Sequence, residues 1–103
     1  MTDHPAPEIP ARPAEPHEIP RGAARLAALG EANGWMVRTT YARGTRPGRP
    51  PRVVDLLMVI ARRGGTAVIT TWYDSRFVSG LWMVGWAPVR RCTLTELREL
   101  VSA

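Results

Sequence analysis

A chain of 103 residues holds one domain with one core and is too short for two. Its 14 basic residues are all arginine, against nine carboxylates, for a net charge of +5. One cysteine excludes an internal disulfide and a cysteine-based zinc site, and no apolar run approaches the roughly 20 residues of a membrane span, so a soluble, cytoplasmic protein is expected.

Residues 1–20 hold six of the ten prolines, and "EIPA" at 8–11 returns as "EIPR" at 18–21. Asp3, Glu8, Glu15 and Glu18 against Arg12 give this stretch a net charge of −3. So many prolines remove amide donors, and the stretch is expected to be an extended, disordered acidic leader. It has no apolar run of the kind a signal peptide needs. The folded domain is then residues 21–103, with 13 arginines against five carboxylates and a net charge of +8.

"GAARLAALGEAN", 22–33, predicts a first helix with Leu26 and Leu29 on one side and a left-handed stop at Asn33-Gly34. "WMVRTTYAR", 35–43, alternates at strand period. After an arginine-rich loop, "VVDLLMVIAR" at 53–62 and "TAVITTWY" at 66–73 form strands about a tight Gly64-Gly65 turn. Asp74-Ser75 turns the chain into a further strand, 76–86, with Gly80 marking a bulge and Pro88 ending it. Thr93 and Glu96 have capping-box spacing, and Cys92 with Leu97 that of a hydrophobic staple. They open a last helix with an apolar face of Leu94, Leu97, Leu100 and Val101. The fold class is α+β: an α-β-β-β-β-α order, with a four-stranded antiparallel meander and two helices on one face.

A tight Gly64-Gly65 turn pairs Arg62 with Ala67, Ile60 with Ile69, Met58 with Thr71 and Leu56 with Tyr73. The other face then carries Leu57, Val59, Ala61, Val68, Thr70 and Trp72. Both faces are apolar, whereas an antiparallel sheet with one wet side alternates cleanly. Two short helices cover one face. Either the sheet curls or the leader and Trp35 fold over the other, or Leu57, Val59, Val68 and Trp72 form an interface. The same register sends Trp72 and Trp82 to opposite faces.

Catalytic chemistry is not expected. His4 and His17 both lie in the leader, Cys92 is placed for packing, and Asp55 and Asp74 lack a third acidic group for metal binding. "GTRPGRPP" lacks the context of a phosphate loop. No cofactor, metal or small-molecule substrate is implied. Arg43, Arg46, Arg49 and Arg52 recur every three residues, the period of polyproline II, and would then share one edge able to follow a phosphate backbone. Arg38, Arg62, Arg63 and Arg76 could extend it, and a Trp beside them could stack on an unpaired base. The bland reading of the same loop is a solvated strand connection.

The order of helix, antiparallel strands and helix resembles the double-stranded RNA-binding domain. That family has a lysine-rich start to its second helix, where this chain has "TLTELREL" with Glu96 and Glu99, so no binding residue transfers. "AVITTWYDSRFVSGLWMVGW" is similar in cadence to small uncharacterised proteins of actinobacteria and their phages, a resemblance that implies no activity. The expectation is a non-enzymatic nucleic-acid-binding or regulatory protein using the arginine loop. The alternative is a homodimeric or partner-binding module using a second apolar sheet face.

Overall fold

The computed structural model describes residues 8–85 and 87–103; the expectations placed on residues 1–7, His4 among them, and on Trp86 lie outside these. The elements are β1 (Ile9–Pro13), α1 (Arg21–Ala32), β2 (Met36–Arg46), β3 (Arg52–Arg63), β4 (Thr66–Tyr73), β5 (Arg76–Val84), β6 (Ala87–Arg91) and α2 (Leu94–Ser102). The six strands form one antiparallel sheet in chain order. The α+β class and the meander stand, while the expected four strands become six. Among the described residues no helix is long and apolar enough to cross a membrane.

The first added strand lies in the stretch expected to be a disordered leader. Pro10 and Pro13 sit in β1, an edge strand, where a missing amide costs no ladder bond. Pro16 opens a single 3-10 turn and Pro20 caps α1, positions that also need no donor. Ile9 and Ile19, the isoleucines of the repeated "EIP", both pack against the buried cluster of Ala23, Tyr41, Leu57, Val59 and Trp72. The Arg12 guanidinium donates two 2.7 Å hydrogen bonds to Glu18 and lies 4.7 Å from the centre of the Tyr41 ring. Apolar anchors and a bidentate ion pair thus offset the ordering cost of a proline-rich segment.

The second added strand follows Gly85, whose φ of +62° lets the chain turn back along β5. Pro88 belongs to this new edge strand and does not end the preceding one. The β3–β4 register is the expected one, with Leu56 opposite Tyr73, Met58 opposite Thr71, Ile60 opposite Ile69 and Arg62 opposite Ala67.

On the β4–β5 pair the register shifts by one residue. Thr71 faces Ser79 but Trp72 faces Phe77, so the extra, bulged residue is Val78 and not Gly80. A one-residue slip exchanges the faces of everything beyond it. Trp82 therefore lies opposite Val68 and on the same side as Trp72, correcting the expectation that the two tryptophans diverge. Gly80, opposite Thr70, points into the core. A Cβ there would overlap the Leu97 side chain and stand 2.8 Å from the Cys92 carbonyl oxygen.

Both helices close over this one side. The Trp35 amide donates to the Gly30 carbonyl at 2.9 Å and the Gly34 amide to Glu31 at 3.2 Å, the Schellman pattern, with Gly34 at φ +82°. The capping box of Thr93 and Glu96 forms as expected, and Cys92 and Leu97 are both buried beside it. Glycines let the layers meet: a Cβ on Gly22 would come within 3.0 Å of the Trp72 ring, and one on Gly30 within 3.3 Å of Val37.

Candidate functional site

Leu57, Val59, Val68 and Trp72, expected to form the uncovered interface, are the floor of the helix-covered core. Their exposures are 4%, 1%, 1% and 3%. The correction has a steric cause, since Gly22, Gly30 and Gly80 admit the helices on that side. The uncovered face is the opposite one.

Register places on it Met36, Arg38, Thr40, Ala42, Gly44 and Arg46 of β2, and Arg52, Val54, Leu56, Met58, Ile60 and Arg62 of β3. Ala67, Ile69, Thr71 and Tyr73 of β4 follow, then Arg76, Ser79, Leu81 and Met83 of β5 and Arg91 of β6. Its centre is aliphatic. Its two ends carry six arginines, Arg38, Arg62 and Arg91 at one and Arg46, Arg52 and Arg76 at the other, and no strand residue of this face is Asp or Glu. Among the described residues, Arg38, Arg52, Arg76 and Arg91 form no ion pair.

The regular arginines at 43, 46, 49 and 52 do not share an edge. Three of them lie on or at the ends of β strands, where side chains alternate, so a spacing of three sends Arg43 and Arg46 to opposite faces. Arg43 faces the helix side, its Nη1 3.4 Å from Asp55 Oδ1. Arg46 and Arg52 are cross-strand neighbours on the uncovered face, and Arg49 lies in the tip, residues 47–51. The Arg46 guanidinium reaches across β3 to 4.8 Å from the Tyr73 ring centre. Val54, on the same face, is buried at 5% exposure although no helix covers it.

The tip and the strands leading to it form an arm. β4 accompanies β3 only from Leu56 onward and β1 accompanies β2 only as far as Arg43, so the rungs from Gly44–Val54 to Arg46–Arg52 run beyond both, about 7 Å of ribbon before the tip, with the Thr45 hydroxyl donating to Glu8 at 3.0 Å along its side. The described chain measures 54 × 26 × 22 Å. Residues 44–54 carry three arginines and no carboxylate.

Arg63 has a different place. Its Nη1 donates to the carbonyl oxygens of Asn33 at 3.0 Å and Ala103 at 2.9 Å, the C-terminal caps of α1 and α2, while its guanidinium lies 4.6 Å from the Trp35 ring centre. It clamps two helix ends and is directed away from the arginines of the uncovered face.

Two hollows open on that face on either side of Ile60 and Arg62. One, of about 330 Å³, is bounded by Ile69, Met83 and the glycines of the β3–β4 turn. The other, of about 360 Å³, is bounded by Met36 and Arg38. A third, more polar hollow of about 290 Å³ lies at the side of the sheet among His17, Glu18, Tyr41, Asp55 and Ser75. Here the Tyr41 hydroxyl donates to Asp55 at 2.7 Å. That bond, and then burial, raise the phenol pKa. Asp74 accepts from the Asp55 amide at 2.9 Å, so its carboxylate pins the β4–β5 turn to β3. Among the described residues no group of three or more His, Cys, Asp or Glu side chains converges as a metal site would require.

Arg91, Ile60, Ile69, Leu81 and Met36 escaped sequence reasoning as site residues. No sequence signal marks them, since the register without the Val78 bulge sets Gly80 opposite Ile69 and so on the face the helices leave open. No protein-family model, curated protein or solved structure matches the chain.

Proposed function

We propose that this chain is a non-catalytic binding protein that grips duplex DNA with the β2–β3 arm. One observation carries the reading: the ribbon extends past its β4 neighbour and bears Arg46, Arg49 and Arg52 on a segment with no carboxylate. A two-stranded ribbon fits the major groove of B-form DNA, about 12 Å wide, and arginines beside it meet phosphates. The deep, narrow major groove of A-form RNA does not admit one. Arg76, on the same face, adds a fourth cation near the arm's base.

Three to four phosphate contacts give a log–log salt dependence of roughly −3. The test is fluorescence anisotropy of the full chain with labelled duplex DNA, single-stranded DNA and duplex RNA at several salt concentrations. Because Arg46 is engaged with the Tyr73 ring, the variant used is Arg49→Glu/Arg52→Glu, both exposed positions. Duplex DNA binding with a slope near −3, weakened at least tenfold in the variant, is the expected result. Absence of binding at low salt, or equal affinity for duplex RNA, defeats the reading.

A further inference from the structure

The uncovered face contains a cross-sheet row with a definite pattern. Reading across β6, β5, β4, β3 and β2, the directly paired residues are Arg91, Leu81, Ile69, Ile60 and Arg38. Three aliphatic side chains are thus bracketed by two exposed arginines. The hollows beside Ile60 and Arg62 flank the row, each with room for an aliphatic side chain. Half-buried aliphatic residues in a contiguous sheet face are what a binding surface, not a solvated one, presents.

We propose that this row docks an acidic amphipathic helix of a protein partner. Four inter-strand steps of about 4.8 Å separate Arg38 from Arg91 by about 19 Å. One helical turn rises about 5.4 Å, close to one strand spacing. Apolar residues on successive turns of a helix laid along the row therefore meet Leu81, Ile69 and Ile60 in order, and carboxylates one turn beyond each end meet Arg91 and Arg38. About 13 residues span the distance.

Charge decides against the other occupants. A second copy stacked on this face would set arginine-bearing ends against arginine-bearing ends with no carboxylate to neutralise them, a juxtaposition that costs affinity. A single strand of nucleic acid would want aromatic platforms, and the one described aromatic ring on this face, Tyr73, already lies under Arg46. The proposal stands apart from DNA binding, since the row is away from the arm.

The test uses the full chain and three labelled helix-forming peptides of about 18 residues. One has a leucine stripe flanked by glutamates, one has lysines in place of the glutamates, and one has serines in place of the leucines. Anisotropy titration reads binding, and sedimentation equilibrium reads self-association. The glutamate–leucine peptide alone should bind. Its affinity should fall at least tenfold in Arg38→Glu/Arg91→Glu and in Ile69→Glu. Met36→Glu is the control for folding, because Met36 is 81% exposed. It lines one hollow, so it should weaken the peptide while leaving duplex DNA binding and thermal stability unchanged. Equal binding of the lysine peptide overturns the proposal, as does no binding of the glutamate peptide. So does a dimer at micromolar concentration that Ile69→Glu dissociates, which would assign the face to a second copy.

Discussion

Replacing Arg63 with alanine separates architecture from binding among the arginines. Two hydrogen bonds to helix-end carbonyls are lost, at 3.0 and 2.9 Å, each contributing about 1 kcal/mol. The contact with the Trp35 ring adds about 0.5–1 kcal/mol. The expected loss is about 2–3 kcal/mol, which for a domain of this size lowers Tm on the order of 10 °C. Thermal and urea unfolding followed by circular dichroism measure it, with a lower urea midpoint and an unchanged m-value. Arg76→Ala, at an exposed position without an ion pair, should stay within about 0.5 kcal/mol of the parent. Well below its Tm, Arg63→Ala should keep the parent's DNA affinity and salt slope. If it melts with the parent, or loses DNA binding while remaining as stable, Arg63 is a ligand-binding residue and its assignment as a helix clamp is refuted.

Two further outcomes follow from the packing and the ion pairs. Gly80→Ala should destabilise by about 1–3 kcal/mol, because the new methyl group collides with Leu97 and the Cys92 carbonyl. Leu97→Ala in the same chain should recover part of that loss, a coupling that a double-mutant cycle in urea reads. Glu18 is held to about 2, first by its hydrogen bonds from Arg12. Its folded pKa lies below the ordinary 4.5, so the pair's contribution is complete above about pH 4.5 and is lost as pH falls toward 2. In melts between pH 7 and 2, Glu18→Gln should flatten the part of the decline in Tm within that window, and identical profiles would show that the leader is not held by this pair.

Local chemistry was legible in the residues themselves. The Gly64-Gly65 turn set the β3–β4 register, Asn33-Gly34 stopped α1, and Thr93 with Glu96 opened α2, because each of these depends on a few neighbouring atoms. That both sheet faces are apolar followed from the same register. Tertiary structure alone decided which of the two is covered. The one-residue bulge at Val78 turned Trp82 and Gly80 inward and Leu81 outward, and no local rule distinguishes Val78 from Gly80 as the extra residue. Residues 8–20 of the proline-rich leader are ordered by Ile9, Ile19 and Arg12 meeting groups distant in the chain, which composition cannot register. The arginines at intervals of three were divided between faces once their backbone became a ribbon, since a side chain's direction belongs to the backbone conformation and not to the spacing of letters.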